Sequence, residues 1–197
     1  MNPEFAMDEK KERIVTIAEK IFSRFGFRKT TMDEIAKMAR MGKSTLYYYF
    51  KSKEDIWAEV IRKESHILRQ KLHEAVRNAV TPQEKIRTYV LTRMKHLKEL
   101  SNYYTTLTDD YFDHYAFIEK EREDFTRYEI DTLTRILREG AAQGVFTVEN
   151  AEITAQMIIL ALKGLEYPLL VENGLSHDID HTVNRMLQIL FKGIEIR

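Results

Sequence analysis

The sequence predicts an all-α protein. Two observations carry that reading. Apolar residues recur with a helical period and almost no segment alternates with period two, and helix breakers are scarce, with seven Gly and three Pro in 197 residues. Ile14, Ile17, Ala18, Ile21, Phe22 and Phe25 fall at i, i+3, i+4, i+7, i+8 and i+11, and Val183, Met186, Leu187, Leu190, Phe191 and Ile194 repeat that spacing near the other end. The length allows one or two domains, and a hydrophobic content of 44% is ample for a packed core.

The elements follow in order. The first helix ends at Gly26. Thr31 with Glu34 forms a capping box that opens the second. Gly42 breaks the chain before a short helix from Lys43 to Tyr49. A long polar helix runs from Lys53 to Val80. Thr81-Pro82-Gln83-Glu84 is another capping box, with Pro at the first helical position, and its helix continues to Leu100. Ser101 to His114 is expected to hold a short helix. One long helix is expected from Tyr115 to Gly144. Another spans Glu149 to Glu172, interrupted by Pro168 and stopped at Gly174, and the last begins near Asp178. Asn2-Pro3-Glu4-Phe5-Ala6 reads as a cloning-derived leader before a start at Met7.

Composition excludes several classes. There is no Cys, hence no disulfide, thiolate metal site or Cys nucleophile. The longest apolar run, Met157 to Leu162, is far short of the ~18–20 residues that span a bilayer. No signal peptide is visible, so a cytoplasmic protein without a membrane partner is expected. Acidic and basic residues balance at 31 each, which argues against a uniformly basic coat protein. The balance is uneven along the chain, however. Met7 to Lys53 carries a net charge of +6, so the remainder carries about −6, and a polyanion partner is expected for the first part only.

Three helices in the first fifty residues, the second and third joined by a tight turn, match a helix-turn-helix. Ile35, Ala36 and Ala39 give the second helix a thin apolar face against which a third helix packs closely. Leu46 and Phe50 point into that core. The opposite face shows Lys43, Ser44, Tyr47 and Tyr48, with Thr45 beside them. Hydroxyls and an ammonium on a short exposed helix suit phosphate oxygens and base edges. Lys51 and Lys53 follow for the DNA backbone, and Thr31 adds a hydroxyl at a helix N-terminus. Tyr49 is divided between core and DNA. The DNA-contacting set is therefore Thr31, Lys43, Ser44, Thr45, Tyr47, Tyr48, Tyr49 and Lys53.

Phe22-(x)3-Gly26-Phe27-(x)2-Thr30-Thr31-(x)3-Ile35-Ala36, followed by Lys43-Ser44-Thr45-Leu46-Tyr47-Tyr48-Tyr49-Phe50-Lys51-Ser52-Lys53-Glu54, resembles the tetracycline-repressor (TetR) family of bacterial transcription regulators. The signature covers about residues 10 to 60. The resemblance implies a homodimer, an inducer-binding domain and usually repression. Two positions depart from the family pattern: Arg40 stands where the turn usually has Gly, and Gly42 where a Ser or Thr often caps the third helix. Gly42 supplies an unusual turn conformation, so the turn is expected to be shifted rather than lost.

The division expected is a helix-turn-helix DNA-binding domain over 7–56 and a helical ligand-binding and dimerisation domain over 57–197. Tyr103 to Tyr128 holds eight aromatics and the acidic Asp109, Asp110 and Asp113. Such density lines an apolar pocket or fills an aromatic core. Aromatics with carboxylates suit a cation, and a purely apolar pocket suits an acyl chain. The pocket candidates are His96, Tyr103, Phe112, Tyr115, Phe125 and Tyr128, with His114 as a further polar anchor. The helix apolar nearly all round from Met157 to Leu165 needs cover on two sides, and a partner subunit is the natural second cover. Leu162, Leu165, Met186, Leu187 and Leu190 are the candidate dimer residues. Gly140-(x)3-Gly144 reads as a cap with close packing. His177 and His181, four apart beside Asp178 and Asp180, read as a helix start in preference to a metal site, and no cofactor is expected.

The function expected is a sequence-specific regulator of double-stranded DNA, a repressor released from an inverted-repeat operator by a small apolar or aromatic effector. A helical carrier or interaction module without operator binding is the alternative. An enzyme of the helical metal-carboxylate type needs Glu-(x)2-His motifs, and the sequence has none.

Overall fold

The computed structural model describes residues 3–99, 111–170 and 179–194. Among these the regular elements are α1 (Pro3–Phe25), α2 (Met32–Met38), α3 (Lys43–Tyr49), α4 (Lys53–Asn78), α5 (Pro82–Glu99), α6 (Tyr111–Glu121), α7 (Glu123–Ala142), α8 (Ala151–Leu170) and α9 (Ile179–Ile194). The protein is all-α, and α1 extends back through Pro3, into the residues set apart as a leader. The described residues of Met1–Ser65 and Leu100–Arg122 form one compact unit, and those of His66–Glu99 and Glu123–Arg197 a second.

In the first unit the apolar stripe of α1 buries Ile14, Ala18, Ile21 and Phe22 against Ile35 and Ala36 of α2, Leu46 of α3 and Ile56, Trp57 and Val60 of α4. Phe117 and Ile118 of α6 join the same cluster. Side-chain pairs run along its rim: Lys63 with Glu19 at 2.6 Å, Lys11 with Glu59 at 2.8 Å and Arg62 with Glu121 at 2.7 Å. Partly exposed pairs of this kind contribute little each, about 0–1 kcal/mol.

The second unit packs α7 on α8 and α5 on α7 and α9. Tyr89 and Arg93 of α5 and Glu129 of α7 are buried together. Arg93 Nε donates to Glu129 Oε1 at 2.6 Å and the Tyr89 hydroxyl donates to the same oxygen at 2.9 Å. Burial, then the neighbouring Glu129 charge, pushes the Tyr89 phenol well above its ordinary range. Two charges removed from water require such pairing, because either alone would be costly.

The caps follow the sequence. Thr31 Oγ1 accepts from Glu34 N–H while Glu34 accepts from Thr31 N–H at 2.8 Å. At α5, Glu84 accepts from Thr81 and Val80 N–H, and those bonds hold its carboxyl below the usual range. Gly144 has φ +69 and its N–H reaches Ala141 O, while Val145 N–H reaches Gly140 O. This is a Schellman ending. A Cβ on Gly140 would lie 2.1 Å from the buried Phe146 ring, so the Gly140–Gly144 pair is a cap with close packing.

Three expectations are corrected. The helix expected from Tyr115 to Gly144 is two helices, broken at Arg122, whose side chain is buried and which ends the first unit. Glu123 and Asp124 then open α7, where acidic side chains favour a helix start. The described α8 runs through Pro168 to Leu170, so the proline sits in the final described turn and does not interrupt it. The stretch from Ser101 to Asp110 and the residues around Gly174 lie outside the described residues.

The third correction concerns the turn. Gly42 is extended at φ −67, and the left-handed conformation belongs to Arg40 at φ +52. Arg40 N–H reaches Lys37 O at 3.1 Å and Met41 N–H reaches Ala36 O at 3.0 Å, a Schellman ending for α2 with Arg40 in the usual glycine position. The turn is therefore in register and strained. Arg40→Gly is expected to raise stability by about 1 kcal/mol by relieving the Cβ clash of left-handed backbone. A urea or thermal unfolding midpoint at or below that of the wild type would contradict this.

Candidate nucleic-acid interface

α3 is short, and its two faces differ. Leu46 is fully buried and Phe50 follows it into the core. Ser44, Tyr47 and Tyr48 face solvent, Tyr47 at 39% exposure and Tyr48 at 64%. Large exposed aromatics are unusual on a solvated helix and are available for contact with bases or sugars. Tyr49 is half-buried against the core cluster and stacks edge-on with Tyr48 at 5.2 Å, which places it with the packing residues. Thr45 is half-buried.

The cations predicted to meet DNA are engaged with the protein. Lys43 Nζ pairs with Asp33 Oδ1 at 2.8 Å, both side chains exposed, and that hydrogen bond raises the lysine's pKa. Lys51 Nζ donates to Tyr47 O at 3.3 Å. Its N–H and that of Ser52 both bond Asp55 Oδ2, and Asp55 N–H returns to Ser52 Oγ. This Ser52–Asp55 box starts α4. Thr31 spends its hydroxyl on Glu34 Oε2 at 2.9 Å.

Lys53 is held by backbone acceptors. Its Nζ donates to Phe27 O at 2.7 Å and Thr30 O at 2.9 Å and lies 4.2 Å from the Phe27 ring centre. Burial pushes its pKa below the ordinary range. The ammonium bonds the α1–α2 loop and ties that loop to the start of α4. A lysine with an aliphatic stem on an aromatic and two carbonyl acceptors is a packing element.

The other predicted residues sit as follows. Phe125 is buried in the second unit, 6.2 Å from the half-buried Tyr128, whose ring lies under Arg69 at 4.4 Å. His96 is half-buried. Tyr103 and His177, and the side chains of Phe112, His114 and Tyr115, lie outside the described residues. Leu162 and Leu187 are 0% and 1% exposed within a single chain, which corrects their assignment to a dimer interface: no surface is left for a partner. Leu165, Met186 and Leu190 are half-buried. The exposed apolar face of α8 is instead Ile153, Met157, Leu160, Ala161 and Gly164, at i, i+4, i+7, i+8 and i+11, and α9 exposes Ile189. Helical spacing could have separated the two faces of α8. His181 is exposed, and the described residues hold no cluster of three metal-ligating side chains. No helix among the described residues is long and apolar enough to cross a membrane.

Comparison with known proteins adds four findings. The family model for bacterial regulatory proteins of the tetR family matches residues 14–60. The chain is 40% identical over 68 residues to the uncharacterized helix-turn-helix regulator YhgD of Bacillus subtilis, a match spanning 34% of this chain and 36% of that relative. It is 24% identical over 186 residues to the transcriptional regulator QacR of Staphylococcus aureus, covering 93% of this chain and 97% of QacR. Among solved structures, a transcriptional regulator of Saccharomonospora viridis in complex with choline has the same fold, with a TM-score of 0.78 at 20% identity over 96% of this chain and all of that one.

Lys53→Met is expected to lower the stability of the first unit by about 1–3 kcal/mol, because two carbonyls lose their donor. Fluorescence of Trp57, the sole tryptophan, reports the unfolding. An unchanged midpoint would show that water replaces the ammonium without cost.

Proposed function

We propose that this chain, which belongs to the TetR family of helix-turn-helix transcriptional regulators, acts as a homodimeric repressor that leaves an inverted-repeat operator when a small apolar or aromatic effector binds its helical domain. The family is non-enzymatic, and regulation of transcription through DNA is its common activity. The observation that carries the reading is α3. Ser44, Tyr47 and Tyr48 stand exposed on a short helix whose other face is anchored by Leu46 and Phe50.

In this reading each protomer inserts α3 into a major groove, and the dimer spans half-sites about one helical turn apart, roughly 34–36 Å. Thr31, Lys43, Ser44, Thr45, Tyr47 and Tyr48 form the contacting edge, with Lys43 exchanging Asp33 for a phosphate. An exposed pair is cheap to exchange. Most of the affinity then comes from phosphate contacts and falls with salt. The aromatic-rich stretch of Tyr103 to Tyr128 supports an effector with apolar or aromatic surface. Coupling between effector and operator of about 1–3 kcal/mol suffices for a 5–150-fold change in affinity. α4 begins in the first unit and ends in the second, which makes it the lever.

The exposed stripe Ile153, Met157, Leu160 supports dimerisation through α8, with Ile189 of α9 contributing. Monomeric proteins seldom leave such a row of large apolar side chains in water.

Two measurements test the proposal. Selection of bound duplexes from a random pool at low salt is expected to enrich an inverted repeat, and Tyr47→Ala with Tyr48→Ala to abolish binding while helicity and unfolding midpoint stay within about 0.5 kcal/mol of the wild type. Undiminished affinity in that variant would remove α3 as the recognition helix. Separately, Met157→Glu with Leu160→Glu is expected to convert a dimer into a folded monomer by analytical ultracentrifugation. Retention of the dimer would place the interface elsewhere.

A further inference from the structure

We infer that Arg40 is a DNA-backbone contact, a guanidinium that clamps a phosphate beside the recognition helix and that the α2–α3 turn carries in a conformation suited to glycine. The inference rests on the DNA-binding reading above and adds to it a residue outside the edge just described.

Four observations converge on it. First, Arg40 has φ +52, the only positive φ on a non-glycine side chain among the described residues. An L-residue disfavours that conformation, and strain retained at one position is where function is sought. Second, the turn fixes the residue's direction. Its own N–H and that of Met41 are bonded to Lys37 O and Ala36 O, and Ala39 beside it is fully buried. The side chain therefore has only solvent to enter, and it is exposed. Third, Arg40 lies two residues before Gly42, the N-cap of α3, and three before Lys43. It extends the exposed series Lys43, Ser44, Tyr47 and Tyr48 across the turn. Fourth, Lys51 and Lys53 are bonded to backbone carbonyls, Lys51 to Tyr47 O and Lys53 to Phe27 O and Thr30 O. Arg40 has no hydrogen-bond or ion-pair partner for its guanidinium among the described residues.

A guanidinium suits this role. It stays charged, presents planar paired donors to phosphate oxygens, and is desolvated more readily than an ammonium. Its long side chain lets it reach a backbone phosphate while α3 lies in the groove.

The test compares wild type, Arg40→Gly, Arg40→Asn and Arg40→Lys on one duplex carrying the selected inverted repeat, with affinity measured across a salt series. Arg40→Gly relieves the turn, and Arg40→Asn tolerates left-handed backbone without a charge, so neither variant depends on a weakened fold. Both are expected to bind more weakly with a log–log salt slope shallower by about 1.8 per dimer, two phosphates at about 0.9 each. Arg40→Lys is expected to keep most of the slope. The result that overturns the inference alone is wild-type binding with the same slope and affinity in Arg40→Gly and Arg40→Asn. Absence of any wild-type binding to duplex at low salt overturns the DNA-binding reading and this inference together.

Discussion

The Trp57 indole lies between two rings, stacked on Phe27 at 4.2 Å and on Phe117 at 5.3 Å. Phe27 in turn touches Phe22 and has the Lys53 ammonium 4.2 Å from its ring centre. This column ties four pieces of chain together: the end of α1, the loop before α2, the start of α4 and α6. Aromatic pairs add about 0.5–1.5 kcal/mol beyond the area they bury. With the Lys53 bonds to Phe27 O and Thr30 O, the column holds the loop that delivers Thr31 to the N-cap of α2. The pose of α2, and through the Arg40 turn that of α3, depends on where Phe27 is fixed.

This arrangement settles how charge is used in the first unit. The segment from Met7 to Lys53 carries an excess of six positive charges, yet several of them do structural service. Lys53 donates to two backbone carbonyls, Lys51 donates to a third and Lys11 bonds Glu59. A count of basic residues therefore overstates the number that meet a polyanion. The long-range field survives, because an ion pair with an exposed acid leaves the net charge of the segment unaltered and steers association accordingly. Close contacts fall to residues without an internal acceptor or with one that exchanges cheaply.

Most of the fold was legible because its signals are local. The capping boxes at Thr31–Glu34 and Thr81–Glu84, the Gly26 ending and the limits of α3 follow from backbone chemistry over four or five residues. Leu46 and Phe50 were assigned to the core by spacing alone. Signals that depend on distant partners were not legible. Lys53 bonds residues 23 and 26 positions away, and nothing local separates it from a solvated lysine. The break at Arg122 has no Gly or Pro, and only its position at the edge of two packing units explains it. Glu129 was partly legible: it lies four residues from Phe125 and from Leu133, on the buried face of α7, which demands a buried cation. That cation, Arg93, is 36 residues away. The dimer assignment failed on Leu162 and Leu187 because a helix apolar all round does not reveal which stripe faces its own core. The aromatic cluster beyond Tyr103 stays an argument from composition.

The division of the chain constrains how an effector in the helical domain would reach α3. The chain passes from one unit to the other within α4, after α5 and at Arg122–Glu123. α6 belongs with the DNA-binding unit, because Ile118 is buried in its core, Phe117 stacks on Trp57 and Glu121 holds Arg62. Removing one large apolar side chain from such a core costs about 1.5–3 kcal/mol. That is of the same size as the coupling energy an effector typically supplies, about 1–3 kcal/mol. Detaching α6 from that core would cost energy of this order, so its packing ties it to α1, α2, α3 and the start of α4.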